Sequence, residues 1–402
     1  MQRWLKFAKY LPEFGWEPYI ITVDAEYAAF PVLDFSLNKD ELPPANIYST
    51  PATDYFSIYG NDRSKIPSAG FANSLDSSLK GKLIRFIRGN FFIPDPRKGW
   101  NKYAFRKAVD LIDSSGIKHV ITTSPPHSTQ LIGLKIKRKY PAIKWIADLR
   151  DPWTDIYYYR QFYPTMISRW IDSSYEKKVL ENADRIITVG NSLKRLFESK
   201  MNSPGDKIEV ITNGYDEDDF NIPPEPVPLI FTITYVGTLS DIYPVESLLN
   251  ALQNVRRSGN KFLVRFIGTV SFKQKNLIAS KLEEEEVQFI SYTEHAKAIK
   301  YMTGSSLLLL IIPDHESSKS ILTGKIFEYI ASGRPVLCLG PADGDAAGIL
   351  RSSGRGDTAG YYDSGDIEKI IMKIIGGFVY PKKNINMFAR KYLAERLSGI
   401  LE

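Results

Sequence analysis

The sequence predicts an α/β protein of two doubly wound domains, each a parallel sheet covered by helices. Three observations carry that expectation. Short, near-continuous apolar runs alternate with helical stretches along the chain, the pattern of parallel strands buried on both faces. The alternation occurs on either side of one proline-rich stretch, NIPPEPVPL (221–229). The length of 402 residues exceeds one ordinary core and suits two domains of about 200.

Taken in order, the chain opens with MQRWLKFAKYLPEFGW, in which Trp4, Phe7, Ala8 and Leu11 fall on one helical face. That is a helix and not a signal peptide. Strands are expected at 19–23, 119–123, 144–149, 185–189 and 208–212, with helices such as 102–114 and 128–140 between them. NIPPEPVPL has four prolines in nine residues, a stiff, extended linker. Beyond it strands are expected at 231–237, 263–268, 287–290, 307–312 and 335–340. The domains are therefore drawn as 1–220 and 230–380, joined by the linker 221–229. An amphipathic helix within 381–402 packs back toward the first domain.

Composition narrows the function classes. A net charge of +6 favours anionic partners such as phosphorylated ligands or acidic membrane surfaces. The single cysteine, Cys338, excludes an intrachain disulfide and points to a reducing, cytoplasmic compartment. It sits in PVLCLG, as a buried strand residue. The longest apolar run, LLLLII at 307–312, is far short of the ~20 residues of a membrane span. Four histidines without a cysteine cluster or an HxxxH pair give no zinc pattern. Asp216, Asp218 and Asp219 lack the calcium-loop spacing, so no metal site is expected. No Walker loop, GxGxxG or GxSxG occurs, and no nucleic-acid partner is indicated. The run EEEE (283–286) reads as a solvated helix end. From Leu79 to Lys107 there are nine basic residues and one acidic one, Asp95. This stretch is either a solvated helix face beside a core contact or a contact with a membrane surface or anionic acceptor.

The most informative stretch is TGKIFEYIASGRPVLCLG (323–340). Thr323 is positioned to cap a helix beginning at Gly324, and Gly333 to end it. A helix N-terminus suits phosphate, and Lys325 adds a full charge there. Glu328, three residues on, shares that face and suits a ribose diol. Phe327, Ile330 and Ala331 form the core face. The competing reading makes Lys325 and Glu328 a solvent-exposed pair. Two other strand ends point the same way: Gly237 and Thr238 in TYVGTLS, and Gly268 in FIGTV. Ligands of open α/β sheets gather beyond the carboxyl ends of strands. In the first half, His127 stands at a helix start in TTSPPHSTQLIG, either as a core or surface histidine or as a site residue. ADLRDPWTD crowds Asp148, Arg150, Asp151 and Trp153 past a strand end. The Arg150–Asp151 pair is structural, or it orients a hydroxyl for proton removal. In TNGYDEDDF, Asn213 and Gly214 are expected to turn through positive φ where the domains join.

These segments resemble glycosyltransferase family 4 enzymes of the GT-B fold. ADRIITVGNSLKRLF and IEVITNGYDEDDF are similar to the end of that family's first domain. TYVGTL and GKIFEYIASGRPVL are similar to its donor-binding segments. SPPHSTQLIG and DLRDPW resemble a bacterial subgroup linked to surface polysaccharide assembly. The resemblance spans 115–345. It implies two Rossmann-like domains facing a cleft, with a nucleotide-sugar donor held mainly by the second. It also implies sugar transfer to a glycan or lipid-linked acceptor, without a bound metal or other cofactor and with retention at the anomeric carbon. Glu328 would take the ribose hydroxyls. Gly237, Thr238, Gly268, Thr323, Gly324 and Lys325 would line the donor site. Arg150 and Asp151 stand where members commonly carry His–Asp, and with His127 they are the catalytic candidates; Asn213 and Gly214 would line the cleft. Peripheral contact with the inner face of the membrane is expected through 79–107.

Three departures stand out. Ser320 replaces a frequent glutamate, and Thr238 replaces a basic residue often found in the GTL turn. Members usually begin with a strand and a glycine-rich loop, whereas this chain starts inside the helix that should follow, so a central strand is expected to be missing. Two rival functions remain at this level. One is a nucleotide-sugar epimerase of the same shape; the other is a degenerate, non-catalytic nucleotide-binding protein.

Overall fold

The computed structural model describes residues 2–28, 46–55, 78–221, 223, 226, 228–381 and 383–402. It divides into two compact units, Met1–Thr212 with Ala394–Glu402, and Asn213–Leu393. Part of the proline-rich segment 221–229 lies outside the described residues.

The first unit carries strands β1 (Ile20–Val23), β2 (Ile47–Thr50), β3 (His119–Ser124), β4 (Lys144–Leu149), β5 (Arg185–Thr188) and β6 (Ile208–Val210). Its helices are α1 (Gln2–Tyr10), α2 (Leu79–Phe91), α3 (Asn101–Ser115), α4 (Gln130–Lys139), α5 (Met166–Asn182) and α6 (Asn191–Ser199). β3, β4, β5 and β6 form one parallel sheet in that order, while β1 and β2 pair in parallel as a separate ribbon. The core packs Trp145, Ala147 and Leu149 of β4 against Val179 and Leu180 of α5 and Phe197 of α6. Near-continuous burial of β4 and β5 is what covering both faces of a parallel sheet requires.

The second unit holds β7 (Phe231–Val236), β8 (Phe262–Ile267), β9 (Val287–Ile290), β10 (Leu307–Ile311), β11 (Val336–Leu339) and β12 (Gly356–Ala359). Its helices are α7 (Glu246–Arg257), α8 (Phe272–Ala279), α9 (His295–Thr303), α10 (Lys325–Ala331), α11 (Asp345–Ser353) and α12 (Ser364–Ile375). The closing helix, α13 (Arg390–Leu401), begins in this unit, and its residues from Ala394 belong to the first. The sheet is parallel throughout, in the order β12-β11-β10-β7-β8-β9. One apolar cluster lies on each face. Leu307, Leu309 and Ile311 point into one, Leu308 and Leu310 into the other.

Four details depart from expectation. β2 and β12 are short, polar edge strands whose sequences, IYST and GDTA, carry no apolar run. Thr323 is not the cap of α10; that place belongs to Gly324, with no side-chain cap bond. The helix ends at Ala331 with Ser332 as its C-cap, and Gly333 follows with a φ of +76°, the left-handed stop. The EEEE run is not merely solvated. Glu286 is buried, bonds the Glu283 backbone N–H at 3.0 Å and pairs with Arg256 at 3.0 Å.

Candidate functional site

In the second unit the chain runs outward from β7 to β8 and β9, then returns to the other side of β7 as β10. A doubly wound sheet opens its crevice at such a reversal, beyond the carboxyl ends of the strands. Gly237 follows β7 and Gly268 follows β8, with φ of +126° and +117°, a region that only glycine enters readily. A Cβ on Gly268 would stand 2.5 Å from the Gly237 carbonyl oxygen, and one on Gly237 would stand 2.7 Å from Lys325 Nζ. Both glycine N–H groups are already spent on the sheet. Gly237 donates to Ile267 O at 2.7 Å and Gly268 to Ile290 O at 2.8 Å. These turns therefore let Lys325 and the ends of β7 and β8 come close together, and they offer no free donors.

Lys325 reaches back from the first turn of α10 into this space. Its Nζ donates to the Tyr235 hydroxyl at 3.2 Å and lies 4.4 Å over the Tyr235 ring. Tyr235 Oη donates in turn to Thr238 O at 2.7 Å. Burial pulls the lysine pKa down to about 8, with Glu328 opposing the shift. Tyr329 fixes the helix on the sheet by accepting the Val236 N–H at 2.9 Å. Glu328 Oε1 is 3.1 Å from Nε2 of His295, at the start of α9. The reading of Lys325 and Glu328 as a solvent-exposed pair does not hold, because each is half-buried against a partner from another element. Thr323 Oγ1 is buried and makes no hydrogen bond among the described residues. Gly324 has open space where a Cβ would be. Ser320 instead bonds its own turn, donating to Ser317 O at 2.9 Å.

In the first unit the candidates gather at the ends of β3 and β4. Asp148, fully buried on β4, accepts from Thr123 Oγ1 at 2.7 Å, Trp4 Nε1 at 2.6 Å and Arg3 at 3.3 Å. It is the anchor of this end of the sheet, since Arg3 also donates to Ile211 O at 2.9 Å and Thr212 O at 2.7 Å. Arg150 donates to Ser124 O at 3.1 Å and Pro125 O at 3.3 Å, and its Nε is 3.9 Å from Asp148. Burial raises the Asp151 pKa, opposed by Arg150 and reinforced by Asp148. His127 packs flat on Trp153, with centroids 4.9 Å apart and planes 17° apart. Burial brings its pKa down to about 4, so the ring is neutral at neutral pH. Trp153 Nε1 donates to Asp172 at 2.7 Å, and Tyr159 donates to the same carboxylate at 2.9 Å. Burial raises Asp172 to about 6 even so. His127, Arg150 and Asp151 thus share one strand-end cluster, in which the Arg150 charge acts on both neighbours.

Asn213 and Gly214 correct an expectation. Gly214 is not among the glycines of positive φ. Glycine is required there by closeness, because a Cβ would meet the Phe388 carbonyl and stand 2.6 Å from Leu393 Cδ1. Tyr215 then bridges to Ala389, donating to Phe388 O at 3.1 Å and accepting from the Arg390 N–H at 2.8 Å. This segment is therefore held from the second unit's own C-terminal end.

The sequence missed Tyr235 and His295, the partners of Lys325 and Glu328. It also missed Arg3, Trp4 and Thr123 on Asp148. No local spacing signals them, since Tyr235 and Lys325 are 90 residues apart.

Comparisons with known proteins follow the same lines. Residues 62–219 match the family model described as Glycosyltransferase Family 4. A comparison with curated proteins gave no match. Among solved structures, the chain resembles a glycosyltransferase from Rickettsia africae at TM-score 0.58 and 16% identity, covering 99% of this chain and 93% of that one. It resembles Anabaena HepE, solved with UDP and glucose, at TM-score 0.55 and 12% identity, covering 99% and 90%. It resembles sucrose-phosphate synthase from Thermosynechococcus elongatus at TM-score 0.52 and 14% identity, covering 76% and 79%. The fold is GT-B, with two Rossmann-like units.

Proposed function

We propose, from the match of residues 62–219 to glycosyltransferase family 4, that the chain moves a sugar from a nucleotide-sugar donor to a glycan or lipid-linked acceptor. Donor binding is assigned to the second unit and acceptor handling to the first. The observation that carries this reading is the meeting of Gly237, Gly268 and Lys325 at the sheet reversal, with Glu328 on the same helix face. The glycines let Lys325 reach the strand ends, where this reading places the diphosphate. Lys325 supplies positive charge where negative charge grows on the departing phosphate, the electrostatic contribution that dominates many transfers. Glu328 accepts the ribose hydroxyls in exchange for His295. Thr238, Thr323 and Gly324 border the same space.

The acceptor hydroxyl attacks the anomeric carbon as the bond from that carbon to the phosphate oxygen breaks. The nucleoside diphosphate leaves on the same face, so configuration is retained, and the hydroxyl proton passes to the departing oxygen. Asp151 orients the attacking hydroxyl, Arg150 fixes the Asp151 carboxylate, and neutral His127 offers a hydrogen bond to sugar or acceptor. The reaction is read as metal-independent, in surface-polysaccharide assembly at the cytoplasmic face of a membrane. Segment 79–107 is the contact with that membrane. Among the described residues, no helix is long and apolar enough to cross one.

The test is incubation of the full chain, and of Glu328→Ala, with a panel of nucleotide sugars, read by mass spectrometry and calorimetry. One donor is expected to bind and release its nucleoside diphosphate, with Glu328→Ala binding it at least about tenfold more weakly. Unchanged affinity would remove the ribose role. Conversion of the donor to its epimer without release would replace transfer by epimerisation.

A further inference from the structure

Helix α2 is built inside out. A helix on a protein surface ordinarily turns its apolar stripe to the core and its charges to water. Here the inward stripe is Gly81, Ile84, Arg85 and Arg88, spaced i, i+3, i+4, i+7, with Gly81 and Arg85 buried and Ile84 half-buried. The arginines are accommodated by aromatic faces. Arg88 lies 4.0 Å over the Phe162 ring and Arg85 lies 5.7 Å over Tyr163. Gly89 lets the helix touch the same segment, since a Cβ there would stand 2.8 Å from Phe162 Cβ. The outward stripe is Leu79, Leu83 and Phe86; Leu79 is 85% and Leu83 58% exposed.

The outward stripe does not stop with α2. Its last position within α2 is Asn90, whose side chain accepts from the Thr165 N–H at 2.8 Å and from Ser168 Oγ at 2.7 Å, and donates to Tyr163 O at 3.0 Å. Thr165 is the N-cap of α5. The first turn of α5 carries three more bare apolar groups, Met166, Ile167 and Trp170, with Met166 87% and Trp170 72% exposed. Lys80, Lys82 and Arg169 are exposed among them. Beyond Trp170 a shallow depression of about 370 Å³ is lined by Trp170, Ser173, Ser174, Lys177, Lys178 and Glu181.

We propose that the outward stripe of α2 and the first turn of α5 form one docking face for a bilayer carrying anionic phospholipid. The inference rests on the membrane contact through 79–107 and extends it to a helix that begins at Met166. The chemistry selects the occupant. Leucine, phenylalanine and methionine enter the acyl boundary, and the Trp170 indole sits at headgroup level. The exposed lysines and Arg169 meet lipid phosphates, which attract such cations within a Debye length. The tie through Asn90 holds both helices in one geometry, so the face is presented ready-made.

The test is co-sedimentation of the full chain with vesicles of phosphatidylcholine alone, or mixed with phosphatidylglycerol. Binding is expected only with phosphatidylglycerol, and salt should release it. Met166→Ser/Trp170→Ser and Leu83→Ser/Phe86→Ser should each weaken it at least about tenfold. Both pairs alter exposed side chains, so their thermal melts and nucleotide affinity should match wild type. Loss with the α2 pair but not the α5 pair would overturn the extension and leave the 79–107 contact standing. No binding by wild type would overturn both, while calorimetry with nucleotide sugars would still report separately on transfer. Equal binding to phosphatidylcholine would overturn the anionic partner. A wild-type dimer that becomes monomeric with Leu83→Ser/Phe86→Ser would make the face an interface between copies and overturn the proposal.

Discussion

Lys325 Nζ lies 4.4 Å over the ring of Tyr235 and donates to its hydroxyl at 3.2 Å. The pair joins α10 to β7 where the sheet order reverses. It holds a cation in a site from which burial is trying to expel charge.

From this follows a pH-dependent affinity. With the Lys325 pKa lowered to about 8, the ammonium is present below that pH and lost above it. Nucleoside diphosphate affinity, measured by calorimetry, should fall as pH rises through 8. Lys325→Met should bind about 10- to 100-fold more weakly at pH 7, the worth of a charge-assisted hydrogen bond, and should show no such decline. The stability sign is opposite. Between about 8 and the ordinary lysine pKa the unfolded chain holds the extra proton, so stability rises with pH there.

Asp151→Asn should lower transfer by about 100-fold or more, within the range of a lost acid–base group, while donor affinity stays within twofold of wild type, about 0.4 kcal/mol. Steady-state kinetics beside calorimetry separates the two. Near-normal turnover would remove Asp151 from the reaction.

Gly268→Ala sets a Cβ 2.5 Å from the Gly237 carbonyl in a backbone of φ +117°. It should cost about 1–3 kcal/mol, seen as a lower Tm, and should disturb nucleotide binding as well. Gly324→Ala is the contrast, since open space surrounds that position. Its melting curve should overlie that of the wild type.

His127 makes an acid-sensitive contribution. Its folded pKa of about 4 lies below the unfolded value, so the unfolded state takes up a proton first. Stability should therefore fall as pH drops from about 6.5 to 4 and level off below, by at most about 3 kcal/mol. Asp172, raised to about 6, acts in the opposite sense over an overlapping window. The comparison must be wild type against His127→Phe, in thermal melts across that range. A variant whose pH profile matches wild type would remove the histidine from this account.

The strand and helix order was written in the sequence, because burial on two faces demands apolar runs and the helices between them carry period 3.6. The run Leu307–Ile312, the stop at Gly333 and the strand around Cys338 were readable for that reason. So was the cluster of chemistry at strand ends, since charged groups such as Arg150 and Asp151 sit where a buried strand stops. What the sequence could not contain was which distant residues meet. Tyr235 under Lys325, His295 beside Glu328, and Arg3 on Asp148 depend on the order in which the strands lie, and strand order leaves no local pattern. The same holds for α2. Its sequence alternates basic and apolar residues around the helix, and only packing against Phe162 and Tyr163 decided that Arg85 and Arg88 turn inward, which left Leu79, Leu83 and Phe86 facing out.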